Sequence, residues 1–179
     1  MVNKRVIISF LLLSIFSLAV AQNRSKNHLS FRGIPLDGSI ESFTSQMKEI
    51  GYEESEVGDE DYRKCFTGDF IGKHSTILVS FSPSGLVYRI DVIQKSSSRS
   101  GVRAAINEIK DLYTEKYGRA ESFDDVHTWT VDYGGIVVMP DTDSPSVRIV
   151  YEDEKNAEKA FKEKASQKNN KKKQYLNDI

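Results

Sequence analysis

The sequence predicts an α+β protein: two tandem α-β4 units sharing an antiparallel sheet, helices packed on one face, then a lysine-rich helical tail. Three observations carry this. Two segments with helical apolar spacing each stop at a glycine. Each is followed by four short strand-like runs joined by Gly-, Pro- or polar-rich links. The last run of each set carries an arginine after Ser-Pro-Ser, as SPSGLVYRIDV over 82–92 and SPSVRIVY over 144–151.

Lys4 and Arg5 precede an apolar run over 6–20, and Ala19-Val20-Ala21 fits the small-x-small cleavage pattern. Residues 1–21 therefore read as a signal peptide, and the run falls short of the roughly 20 residues that span a bilayer. The chain is expected to be exported, periplasmic or secreted, after cleavage near Ala21. Residues 22–38 read as a polar N-terminal arm and lead-in. Residues 39–153 read as one domain with units 39–93 and 101–151, and 154–179 as a basic tail.

Within the first unit, Ser39 is suited to cap a helix whose apolar face is Ile40, Phe43, Met47 and Ile50, with Gly51 as its stop. Strand-like runs follow over 52–57, 62–70, 76–81 and 87–93. The acid-rich stretch 53–61 reads as a solvated loop, and 94–101 as a polar linker. Val102, Ala105, Ile106, Ile109, Leu112 and Tyr113 mark a longer helix ending at Tyr117-Gly118. Runs over 121–123, 126–132, 136–139 and 147–151 complete the second unit. In the tail, Ala157, Ala160, Phe161 and Ala165 form a thin apolar stripe. It is expected to dock through Phe161 alone, to lose order beyond about Gln167, and to be dispensable for folding.

Charge divides the chain. Residues 22–154 hold 23 acids against 15 Lys and Arg, whereas 155–179 hold 8 Lys against 3 acids. The acidic body argues against nucleic acid as a partner, since phosphate binding needs a basic surface. Cys65 is the one cysteine, so stability is expected from burial and hydrogen bonds.

The stretches FRGIPLDGSIESFTSQMKEIGY (31–52), CFTGDFIGK (65–73), GLVYRIDVI (85–93) and LYTEKYG (112–118) resemble uncharacterised exported proteins of gut anaerobic Gram-negative bacteria. Such proteins look like the tandem α-β4 arrangement of the β-lactamase-inhibitor-protein fold. The resemblance implies an open antiparallel sheet whose free face can receive a partner. It brings no catalytic motif.

Several chemistries fit poorly. GDFIGKHS over 68–75 has three residues between its glycines where a phosphate loop needs four, and His74 separates Lys73 from Ser75. Asp141, Asp143 and Glu152 have partial calcium-loop spacing, but Ser146 stands at the glycine position and Pro145 at a ligand position. These acids read as turn formers. His28, His74 and His127 have no metal-ligand spacing, and nothing in the spacing joins any of them to Cys65 as a nucleophile pair. No cofactor or metal is expected.

Strand phase supplies the candidate site. Tyr88, Trp129 and Tyr151 share a phase with Ile90, Val131 and Ile149 and read as core. The opposite phase carries Ser80, Arg89, Asp91, Thr128, Thr130 and Arg148, and Tyr133 stands at a hairpin tip. The expected function is a non-enzymatic binding module that holds an envelope protein or cell-surface partner on this open face. The alternatives are a small periplasmic hydrolase, or an envelope-associated structural protein whose tail touches anionic lipid or polymer.

Overall fold

Eight strands form one antiparallel sheet, and apolar side chains line up across it row by row. The computed structural model describes residues 28–177. The segment read as a signal peptide, and residues 22–27 of the arm, lie outside the described residues.

A two-stranded ribbon, β1 (Ser30–Phe31) and β2 (Ile34–Pro35), leads into α1 (Ile40–Glu49). Then come β3 (Glu53–Glu60), β4 (Arg63–Phe70), β5 (Lys73–Phe81) and β6 (Val87–Lys95). Helix α2 (Arg99–Tyr117) precedes β7 (Glu121–Phe123), β8 (Val126–Val131), β9 (Gly134–Pro140) and β10 (Ser146–Asp153), and α3 (Glu154–Asn177) ends the fold. The strand order is β3-β4-β5-β6-β10-β9-β8-β7. The last strands of the two meanders therefore meet at the centre.

Register explains the core. Phe66, Ile77, Val92, Ile149, Val138 and His127 stand opposite one another in sequence across six strands. The next inward row runs Val79, Ile90, Tyr151, Ile136, Trp129. Ile40, Phe43 and Met47 of α1 and Val102, Ala105, Ile106, Ile109 and Tyr113 of α2 pack on these rows in one cluster. Burying a large aliphatic or aromatic side chain contributes roughly 1.5–3 kcal/mol, so this single layer dominates stability. Ser39 caps α1, its Oγ accepting from Ser42 N–H at 3.3 Å. Gly118, at φ 85°, ends α2 in a conformation that glycine adopts without strain.

Several expectations are corrected. The acid-rich stretch 53–61 is mostly edge strand β3, and Glu54 in it is paired with Lys48 and Lys64. Residues 94–101 are not a free linker. Gln94 ends a buried row, its Nε2 donating to Phe70 O at 2.7 Å and Ser75 Oγ at 3.2 Å, while Ser98 caps α2. Leu112 faces solvent rather than the core. Tyr88 is half-buried against α3 instead of in the core, its hydroxyl accepting from Lys164 Nζ at 3.0 Å.

The tail differs most. It is helical to Asn177, without a break at Gln167. Phe161 is 75% exposed, whereas Ala160 is 1% exposed, so Ala160 and not Phe161 faces the fold. Asn156 is buried and donates to the carbonyls of Leu36 and Val87. Asp153, also buried, caps α3 through Asn156 N–H at 2.9 Å and binds the arm through His28 Nδ1 at 2.9 Å. Glu163 accepts from Ser84 N–H at 3.0 Å, and Tyr62 Oη donates to Gln167 Oε1 at 2.8 Å. Helix α3 thus runs along one end of the sheet, from β10 past the start of β6 to the β3–β4 turn. A polar contact seen only in three dimensions replaces the apolar anchor that the sequence pattern invited.

Candidate functional site

Alternation along each strand sends every second side chain to the face opposite α1 and α2. Three outer rows result. The middle row runs Cys65, Leu78, Asp91, Val150, Val137, Thr128. On one side of it lie Arg63, Ser80, Arg89, Glu152, Gly135 and Thr130. On the other, Thr76, Ile93, Arg148 and Met139 align. The candidates Arg89, Asp91, Thr128, Thr130 and Arg148 therefore share one face, as their phase predicts. Tyr133 stands in the β8–β9 turn at φ 69°, its carbonyl accepting from Glu154 N–H at 3.0 Å.

The charges on this face form a closed ladder. Arg89 grips Asp91 with Nε on Oδ2 and Nη2 on Oδ1, both at 2.8 Å, and reaches Glu152 Oε2 with Nη1 at 3.3 Å. Arg148 places Nη1 3.6 Å from Asp91 Oδ1 and donates from Nη2 to Asp141 Oδ2 at 2.8 Å. The Asp91 side chain is only 8% exposed, and these two guanidinium groups are its ion-pair partners. Bonding to Asp91 holds the Arg89 guanidinium protonated more firmly than usual. The Asp141 carboxyl is held below its ordinary range, first by the Asp143 backbone N–H and next by Arg148. It is a turn former, accepting from Asp143 N–H at 3.0 Å.

Beside the ladder lies an open hollow of about 470 Å³. Val137, Met139 and Val150 form its apolar floor, Gly134 and Gly135 leave one wall without side chains, and Arg89, Glu152 and Glu154 stand at the rim. Among the described residues no cation pairs with Glu154. The hollow suits a side chain with an apolar stem and a cationic tip.

The two Ser-Pro-Ser stretches occupy different places. Ser82 opens its turn: its N–H donates to Leu86 O at 2.8 Å, and its Oγ accepts from Ser84 N–H at 3.2 Å. The residue doing the same work in the other turn is Asp141, whose N–H donates to Ser146 O at 2.8 Å and whose Oδ1 accepts from Asp143 N–H. Ser144 lies further along that turn. The arginines do correspond. Arg89 opposite Glu152 and Arg148 opposite Ile93 stand symmetrically about the Asp91–Val150 pair.

Comparison with known proteins finds no matching family model, no matching curated protein and no matching solved structure.

The remaining candidates do not converge. Cys65 pairs across from Leu78, whereas His74 pairs across from Asp69, four positions further along the same ladder. His127 is five strands from Cys65 in the sheet order, and its Nδ1 is 2.8 Å from Ser122 Oγ. No three His, Cys, Asp or Glu side chains among the described residues are grouped to hold a metal ion. Glu152, Val137, Met139 and Val150 were missed by sequence reasoning. The last three look like core, and only the strand register sends them outward.

Proposed function

We propose that the chain is a non-enzymatic, exported binding module of two tandem α-β4 units, holding a basic segment of an envelope or cell-surface protein on its outer sheet face. The hollow carries this reading. Its apolar floor of Val137, Met139 and Val150 lies under Glu152 and Glu154, which fits the stem and tip of a lysine or arginine. The acidic body adds a field of the same sign preference and would speed encounter with a basic partner. The repeat is supported by spacing: Ser82 and Asp141, like Arg89 and Arg148, are 59 positions apart, and each pair does comparable work. A tandem arrangement is also what the resemblance to the β-lactamase-inhibitor-protein fold implies.

The test is site-specific photo-cross-linking in the protein's own cells, with the reactive group at exposed Thr130. One discrete protein adduct is expected, lost when Glu152 and Glu154 are both replaced by lysine. The same adduct from Leu112, on the helical side of the molecule, would sink the proposal, as would no adduct from Thr130.

A further inference from the structure

A second, oppositely charged site lies at the end of the sheet. Lys164, Lys168, Lys171 and Tyr175 follow one another at helical spacing along one side of α3. They span about 16 Å at the rise of an α-helix. The β3–β4 turn forms the facing wall, with Tyr62 held at φ 64°. Between them is a groove of about 650 Å³ that also takes in Lys172 and Asp61.

Contacts in its floor fix one end of the groove, at Lys164 and Gln167. Tyr62 Oη donates to Gln167, and the Lys164 ammonium lies 5.7 Å from the Tyr62 ring centroid and 5.2 Å from that of Tyr88. Among the described residues no carboxylate comes within ion-pair distance of Lys164, Lys168, Lys171 or Lys172, while Lys162, on another side of the helix, is paired with Glu158. Every charge in the ladder on the sheet face, by contrast, has a partner.

We propose that this groove binds a linear acidic polysaccharide, one bearing carboxylate or sulfate groups at intervals along a hydroxyl-rich chain. The lysine row supplies the complement to spaced negative charge. Tyr62 and Tyr175 offer flat apolar faces against which sugar rings stack. Asp61 and the amides of Gln167 and Asn169 accept and donate to hydroxyls. The acid in the groove and the acidic body both oppose a densely charged polyphosphate, which carries few hydroxyl donors to satisfy Asp61. The groove is walled, so a flat lipid surface meets the rim of the lysine row and not its floor.

Titration calorimetry on the protein as its own cell processes it tests this, with an oligogalacturonate of six sugars as the probe. Binding is expected at low salt, weakening as salt rises, and at least tenfold weaker in the Lys168→Glu, Lys171→Glu double variant. Both side chains are exposed, so the variant keeps its fold, which circular dichroism checks. Tyr62→Ala is expected to weaken binding without altering its salt dependence. Maltohexaose, the neutral control, is expected not to bind. The proposal is overturned if the oligogalacturonate does not bind, if the double variant binds it equally well, or if a ten-residue oligothymidylate or phosphatidylglycerol vesicles bind more tightly.

Discussion

Arg89 and Arg148, on the two central strands, hold the same carboxylate, that of Asp91. Arg89 does so with two bonds of 2.8 Å along its own strand, and Arg148 from the neighbouring strand at 3.6 Å. The pairing closes the charge ladder at the centre of the outer face. It also changes what the arginines can do for a partner. Groups already neutralised within the face contribute shape more than charge, which leaves unpaired Glu154, with half-exposed Glu152 held by Arg89 beside it, as the carboxylates that a partner would meet.

Replacing both Arg89 and Arg148 by alanine should destabilise the fold. The Asp91 carboxyl would be left in a place only 8% exposed, with both guanidinium partners gone. Breaking a pair buried to this degree costs about 3 kcal/mol. Chemical denaturation of the double variant should show that loss, and adding Asp91→Asn should recover most of it. Unchanged stability in the double variant would mean that water, and not the arginines, satisfies Asp91.

The tail should divide into an essential and a dispensable part at about Gln167. Asn156, Ala160, Glu163, Lys164 and Gln167 make the docking contacts. Removing the residues after 168 is expected to leave the melting temperature nearly unchanged. Removing everything after Glu154 is expected to destabilise, because the carbonyls of Leu36 and Val87 lose their buried donor. A buried group left without its partner costs about 1–3 kcal/mol. Asn156→Ala alone should reproduce much of that loss; a variant as stable as the parent would show that α3 is not anchored there.

Both helices of the core, the eight strands and the outward phase of Arg89, Asp91 and Arg148 were legible because period and phase are local properties. What was not legible depends on distant partners. Asp141 looks like a loop acid until Arg148 is placed beside it. Asn156 looks like part of a polar helix until two carbonyls from elsewhere in the chain surround it. Val137, Met139 and Val150 look like core, because an apolar residue in a strand does not state which face is covered. The Ser-Pro-Ser match misled in detail for a similar reason: Asp141, and not Ser144, makes the turn bonds in its loop that Ser82 makes in the other, and the two are chemically different turn formers.

Acid should expose His127. Burial lowers the affinity of its imidazole for a proton, Lys110 lowers it further, and Asp125 partly opposes them. In the unfolded chain the group titrates near about 6.5. Between that value and its lower folded value the unfolded state binds more protons, so stability rises with pH and is lost as pH falls below about 6.5. The slope from this one group cannot exceed about 1.4 kcal/mol per pH unit. His127→Asn keeps a polar atom towards Ser122 Oγ and removes the titration. Denaturation midpoints for the two proteins between about pH 5 and 7 should diverge as pH rises, the parent gaining relative to the variant. Parallel curves would mean that the imidazole titrates alike in both states.

Gly134 and Gly135 allow a sharp contrast between neighbours. A Cβ on Gly134 would lie 2.1 Å from the Glu152 carbonyl oxygen and 3.3 Å from Asp153 Cα, both backbone atoms that no rotamer change can move. A Cβ on Gly135 would meet only the Trp129 carbonyl oxygen, at 3.8 Å. The strain at Gly134 falls where several things are joined. Gly134 pairs with Asp153, and Asp153 caps α3 and binds the arm through His28. Gly134→Ala must therefore part the end of the β9–β10 ladder or shift the start of α3, and a cost of about 3 kcal/mol is in line with such overpacking. Gly135→Ala should cost less than about 1 kcal/mol, the scale of ordinary tolerated changes. The two variants differ by one position and no change in composition, so their denaturation midpoints isolate the close approach. Equal stability would show that β9 and β10 do not meet as tightly at the wall of the hollow as the backbone distances require.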